Sequence, residues 1–196
     1  MPVASTSAEG TFDAIIVAGA TSVRLDGADK AMLDVGGKSL LDRALGSVSA
    51  ARRTVVVGPS RAIDAAVVWC EERPVGGGPV AAFAAGLAAV DADVVVLLAV
   101  DLPFVAPAVP LLVAAAGDLA VLVDVTGRVN YLASAWRREV AEARLKSLLD
   151  PAGASMRALV SGVAAVSVDD VGGWSDDCDT WESLEAARTR AALEGI

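Results

Sequence analysis

The chain reads as an α/β protein. The expected fold is a three-layer α/β/α, Rossmann-like arrangement in which helices cover both faces of an open, mostly parallel sheet. Two observations predict it. Short apolar runs alternate with stretches of helical periodicity along the chain. One of these runs, Val94–Val100 ("VVVLLAV"), is apolar at every position, as a central parallel strand covered on both faces must be. At 196 residues the chain is long enough for one such core.

The elements follow in order. Strands are expected at Ala14–Ala18, Thr54–Gly58, Val67–Cys70, Val94–Val100, Leu119–Asp124, Val129–Trp136 and Ala164–Val168. Between them, Ser39–Ala50 opens with "SLLD", a Ser and an Asp at capping-box spacing. Leu40, Leu41, Ala44, Leu45 and Val48 then fall on one stripe. Pro79–Val90 follows three glycines, with its proline suited to the first helical position. Pro107–Ala116, Arg138–Leu149, Ser155–Ser161 and Thr180–Leu193 complete the helices. No internal repeat or long linker divides the chain. Residues 1–10 read as a flexible N-terminal tail and 11–196 as one domain.

Composition narrows the partners. The chain is 55% hydrophobic and 21% charged, which excludes disorder as its main state. A net charge of −9, with no basic run interleaved with aromatics, argues against nucleic acid. Residues 1–61 hold seven Lys/Arg against six Asp/Glu, and the remainder nine against nineteen, so a phosphate-bearing ligand is expected towards the N-terminal third. Cys70 and Cys178 lack metal-ligand spacing, and Cys70 reads as a small core residue. The four tryptophans read as packing residues, with Trp174 in "GGWSDD" the one to watch. The N-terminal stretch lacks the basic and apolar regions of a signal peptide, and no apolar run could span a bilayer. A cytoplasmic protein without membrane contact is expected.

Ligands in an open α/β sheet bind beyond the carboxyl ends of the strands. Three stretches fall there: Gly19 to Lys30, Glu71 to Leu87, and "DLPF" at Asp101–Phe104. Ala18, Gly19 and Ala20 would let backbone N–H groups approach an anion. Arg24 and Lys30 would supply positive charge to a polyphosphate, the first as a fork and the second as a point charge. Gly76, Gly77 and Gly78 would let backbone pass close to a base. Asp101, at the end of a buried strand, suits a Mg²⁺ held by few protein ligands and by phosphate oxygens. Each stretch alone also reads as an ordinary turn. Together, in this order and after strands, they favour a nucleotide site.

The same segments carry a resemblance. "VAGATSVRLDGADKAMLDVGGKSLLDR" resembles the L-A-G-G-x-S-x-R-[ML]-G-x-D-K signature of the GT-A-like nucleotidyltransferases, in particular the molybdenum cofactor guanylyltransferases. "GGGPVAAFAAGL", "LLAVDLPF", "NYLASAW" and "DDCDTWESL" are similar to the family's later segments in the family's order, covering Asp13 to Ala187. The resemblance implies a fold like that of the nucleotide-diphospho-sugar transferases. It also implies transfer of GMP from GTP to the phosphate of molybdopterin, with release of pyrophosphate and with Mg²⁺ as cofactor. Catalytic roles would fall to Lys30, Arg24 and Asp101. Val17, Ala18 and Gly19 would contact guanine or ribose through backbone, and Lys30 the phosphates. Gly78 and Pro79 would line the nucleotide, Glu71 would stand where the family has an aspartate near the nucleoside, and Asp101 would hold the metal. Asp177 or Asp179 would add a metal ligand or meet the pterin, or remain solvated charges before the last helix; Asp179 is the metal candidate. A transient contact with a molybdenum cofactor carrier or molybdoenzyme chaperone is the protein partner implied.

The chemistry suits a chain without histidine. A phosphate monoester, with its second pKa near ~6, is an anionic nucleophile at neutral pH and needs no general base. The difficulty is repulsion: two unit charges at ~4 Å repel by about 4 kcal/mol at an effective dielectric of 20. Cations must therefore do most of the catalysis. The chain also departs from the signature. Ala20, Asp26 and Ala82 stand where glycine is favoured, and Asp177 and Asp179 replace asparagines. Asp26 would place a negative charge beside the triphosphate, unless it points outward or pairs with Arg24. Weaker GTP binding, a preference for CTP or another acceptor, and a binding protein with an eroded site are the alternatives these changes leave open.

Overall fold

Residues 12–19 and 25–196 are described by the structure, a computed structural model of the chain. The tail at 1–10, Ala20 and Arg24 lie outside the described residues.

Strand β1 (Phe12–Val17) runs between β4 (Thr54–Val57) and β6 (Val94–Ala99), parallel to both. β5 (Val68–Cys70) extends the sheet beyond β4. On the other side lie β8 (Val129–Arg137), β7 (Leu119–Val123) and β9 (Ala165–Asp169), giving the order β5-β4-β1-β6-β8-β7-β9. Among the described strands of this sheet, β8 alone is antiparallel to its neighbours. The connection explains why: a parallel return from β7 needs a crossover of a dozen or more residues. Here the chain turns at once, with the Asp124 carboxylate accepting from the N–H groups of Thr126 (2.8 Å) and Arg128 (2.9 Å).

Side-chain alternation divides the interior into two layers. Ala14, Ile16, Val96 and Leu98 face helices α1 (Leu40–Ser47), α3 (Ala108–Ala114) and α6 (Trp181–Glu194). Ile15, Val95, Leu97 and Trp136 face α2 (Pro79–Leu87), α4 (Arg138–Ser147) and α5 (Met156–Val160). α2 packs so closely on β1 that a Cβ at Gly86 would stand 2.5 Å from Ile15 Cγ2. Fully buried Trp136 lies 5.5 Å from the Phe83 ring and donates its indole N–H to Ser134.

Each strand and helix expected from the sequence is present, with ends shifted by a few residues. Ser39 caps α1 in a reciprocal capping box with Asp42, and Thr180 caps α6 in the same way with Ser183. A small hairpin, β2 (Asp34–Val35) and β3 (Lys38–Ser39), and the 3₁₀ turn Lys30–Met32 before it add to the expected elements. Cys70 is half-buried at the sheet edge rather than in the core. No helix among the described residues is long and apolar enough to cross a membrane.

Candidate active site

A cavity of about 440 Å³ opens over the carboxyl ends of β1 and β6. Its lining includes Val17, Gly19, Lys30, Gly78, Pro79, Asp101 and Asp179, seven positions expected from the sequence to meet nucleotide or metal. Gly78 has φ 88° and caps α2, a backbone conformation that a side chain would strain. Ala18 is buried behind the cavity, and its carbonyl accepts from Arg61.

Lys30 organises the floor. Its ammonium donates to Asp101 Oδ2 at 2.5 Å and to Asp179 Oδ1, although the three residues come from a 3₁₀ turn, the tip of β6 and the approach to α6. The lysine side chain is only 5% exposed, while Asp179 is 45% exposed. Burial opposes the charged form of Lys30, but the two carboxylates outweigh it and hold the ammonium above its ordinary pKa. Burial also raises Asp101, an effect that Lys30 offsets in part and that the charges of Asp179 and Asp177 reinforce. One cation between two carboxylates leaves a net negative site.

That donor set fits Mg²⁺. The ion takes oxygen ligands, commonly one or two carboxylates with the rest from phosphates and water. Asp101 and Asp179 converge on one ammonium nitrogen and therefore lie close enough to share one ion. Among the described residues no group of three metal-ligating side chains gathers, so phosphate and water oxygens would complete the shell.

The expectation for Glu71 is corrected. Glu71 is exposed and outside the cavity lining; its neighbour Glu72 is buried and lines it. Adjacent side chains here face opposite ways, and the sequence offered two glutamates without saying which turned in. Glu72 Oε1 accepts from Gly76 N–H at 3.1 Å, and a Cβ on Gly19 would lie 3.4 Å from both its carboxylate oxygens. Asp26, one of the departures from glycine, takes the outward alternative and does not line the cavity. It sits at φ 53° and accepts from the Trp181 indole N–H at 3.0 Å, turning towards α6. Trp181 is thus a half-exposed tether rather than a packing residue. Ala82, one of the departures from glycine, is buried and lines the cavity.

A second cavity, about 270 Å³, shares Ala99, Asp101, Leu132 and Asp179 with the first and is otherwise lined by residues including Arg128, Asn130, Tyr131 and Asp177. The two aspartates thus stand on a partition between two compartments. Such an arrangement suits a reaction that passes a group from one bound molecule to another.

The segment carrying Asp177 and Asp179 is held from below. Asp170, 3% exposed, accepts from Gly172 N–H (3.1 Å), Trp174 N–H (2.8 Å), and Ser175 N–H (2.8 Å) and Oγ–H (2.6 Å). Burial raises its pKa, but these donors outweigh burial and hold it below the ordinary value. The stabilisation is present above about pH 4 and is lost as pH falls through the lowered native value. Asp170→Ala is expected to cost about 1–3 kcal/mol by orphaning part-buried donors, seen as a lower Tm and altered Trp174 emission. Cys178 N–H donates to the Asp101 carbonyl at 3.1 Å. Burial, with the charge of Asp101 next, pushes the Cys178 thiol up to about 12. The native protein is expected to resist iodoacetamide at Cys178 near pH 8, becoming reactive there only on denaturation.

The mostly parallel sheet carries at its strand tips a cavity floored by a lysine between two aspartates, and the chain that builds it is a nucleotidyltransferase. The family described as the MobA-like NTP transferase domain matches residues 14–167, and the chain belongs to that family. It is 34% identical over 160 residues to the molybdenum cofactor guanylyltransferase of Acidiphilium cryptum (strain JF-5), 78% of each chain being covered. A nucleotidyl transferase from Methanothermobacter thermautotroptrophicus superposes with a TM-score of 0.78 at 17% identity, covering 94% of this chain and 99% of the other. The molybdopterin-guanine dinucleotide biosynthesis protein A of Archaeoglobus fulgidus gives 0.72 at 18% identity, covering 92% and 99%. At such identities the two structures speak to the fold alone.

Proposed function

We propose that the protein transfers GMP from GTP to the terminal phosphate of molybdopterin, in the cytoplasm, with release of pyrophosphate and with Mg²⁺ as cofactor. Family membership supports nucleotidyl transfer; the guanine preference is supported by one observation, the Glu72 carboxylate in the cavity wall. A carboxylate only accepts hydrogen bonds. Guanine presents two adjacent donors, N1–H and N2–H₂, whereas cytosine presents N4–H₂ beside the acceptor N3, and adenine N6–H₂ beside the acceptor N1.

On this reading the nucleotide occupies the larger cavity, with its base at Glu72 and its phosphates towards Lys30. Gly19 and Gly78 allow close backbone approach. The molybdopterin phosphate enters the smaller cavity, where Arg128 can meet its charge. A phosphate oxygen attacks the α-phosphorus of GTP; a P–O bond forms there as the α–β bridge breaks, and pyrophosphate leaves with the electron pair. Lys30 turns from its carboxylates to neutralise the phosphates, and Asp101 and Asp179 would hold Mg²⁺, which would supply further neutralisation and alignment when bound. Arg24 would add a second cation.

Calorimetry of GTP with Mg²⁺, paired with pyrophosphate release from each of four nucleoside triphosphates in the presence of molybdopterin, tests the proposal. GTP is expected to bind and to be preferred, with binding weakened by Lys30→Ala and Asp101→Asn. A clear preference for CTP, or GTP binding untouched by both substitutions, contradicts it.

A further inference from the structure

Arg61 has no place in the sheet or helices, yet its side chain is only 11% exposed. Its guanidinium grips Asp29 as a fork, Nε to Oδ2 and Nη2 to Oδ1, both at 2.8 Å. Nη2 also donates to the Ala18 carbonyl at 3.1 Å, and Nη1 to the Pro59 carbonyl at 2.9 Å. Arg61 therefore ties three stretches of chain at one point: the exit of β1, the residue before Lys30, and the segment after β4. Ala18 immediately precedes Gly19, and Asp29 immediately precedes Lys30. The cavity-lining backbone on one flank and the ammonium on the other are thus set by a single clasp. The Asp29 carboxylate, held below its ordinary pKa chiefly by its hydrogen bonds to Arg61, stays ionised throughout the neutral range.

We propose that Arg61 is a positioning residue for nucleotidyl transfer, holding Ala18 and Asp29 together so that Gly19 and Lys30 present a preformed seat for the triphosphate. The inference rests on the reading of Lys30 as the phosphate's cation. Lysine cannot replace Arg61, because a point charge lacks the fork that satisfies a carboxylate and a carbonyl together. Without the clasp, only a fraction of molecules hold the seat ready. Apparent affinity falls by that fraction, so a population of about one in ten raises KM about tenfold while the chemical step is unchanged.

The test measures KM and kcat for GTP, and Tm, in the full chain for Arg61→Lys, Arg61→Ala, Asp29→Asn and the Arg61→Ala/Asp29→Asn double variant, with Lys30→Ala alongside. The expected result is a KM raised about tenfold in both Arg61 variants and in Asp29→Asn, with kcat within a few-fold of wild type. The double variant should be no worse than Arg61→Ala, because both substitutions open one clasp. Millimolar guanidinium, but not equal NaCl, should draw the KM of Arg61→Ala back towards wild type. A lowered Tm with KM unmoved makes Arg61 a structural residue and overturns the inference. If Lys30→Ala also leaves KM and kcat unchanged, the reading of Lys30 fails and the clasp's role fails with it. Normal Arg61 variants beside a crippled Lys30→Ala overturn the clasp alone.

Discussion

Lys30→Ala is expected to lower kcat/KM for GTP by about 10³-fold or more, comparable with removing a cation that neutralises a transferring phosphoryl group elsewhere. Lys30 is fixed in place before substrate arrives, by Asp101 at 2.5 Å and by Asp179. Its ammonium must leave both carboxylates to meet entering phosphates, but it already stands buried at the strand tips, where its charge is screened less than in bulk water. The variant should also lose stability. Breaking a buried ion pair by removing one partner costs about 3–5 kcal/mol, and the lower end applies here because Asp179 is 45% exposed and keeps much of its hydration. The pH dependence has a definite sign. Without the cation, Asp101 and Asp179 face each other as like charges, and the carboxyl that titrates last is raised above its unfolded value. The native variant then binds a proton that the unfolded chain releases, so its stability rises as pH falls from 7 towards 4. The Tm gap between variant and wild type should narrow over that range. Steady-state kinetics with calorimetric melting at several pH values measures both effects.

Glu72→Gln is expected to lower kcat/KM for GTP by about 10²-fold and to reduce the preference for GTP over CTP by a similar factor. Hydrogen bonds to a charged group contribute about 1.5–3 kcal/mol each, and a site that leaves one polar group unpaired discriminates strongly. The glutamate can turn both oxygens to guanine, since Oε1 keeps a second lone pair beyond the one taken by Gly76 N–H. Glutamine keeps the shape and the bond to Gly76, but presents an N–H₂ towards one of the guanine donors. Its amide matches the donor–acceptor edge of cytosine instead. The loss should therefore fall on GTP alone, with CTP unchanged or improved. Equal losses for both nucleotides would show that Glu72 shapes the loop at Gly76 without reading the base.

The parts of the molecule that could be read from the sequence are those governed by local pattern. Val94–Ala99 is apolar on both faces because β6 lies inside the sheet between β1 and β8. Ser39 and Asp42 marked the start of α1 because the capping box involves only residues three apart. Lys30 and Asp101 were legible because strand ends are where an α/β sheet binds ligands. What could not be read depended on contacts between distant residues or on fine choices of face. The β2–β3 hairpin is two residues long on each side, too short for periodicity to register. Glu71 and Glu72 are chemically the same, and only the path after β5 decides which turns inward. Arg61 lies in a segment without regular structure and finds partners at Ala18 and Asp29. Asp26 meets Trp181 across 155 residues, a pairing that no local signal announces.

On the proposed reading, one cavity holds a guanine nucleotide with its base at Glu72 and its phosphates drawn to Lys30, between Asp101 and Asp179. A crystal structure with a non-hydrolysable GTP analogue and Mg²⁺ tests it most directly. Guanine N1–H and N2–H₂ are expected on the Glu72 carboxylate, with Lys30 turned to phosphate oxygens and the metal on Asp101 and Asp179. A nucleotide bound elsewhere, or one in this cavity with its base at Asp101 and its phosphates beside Glu72, would contradict it.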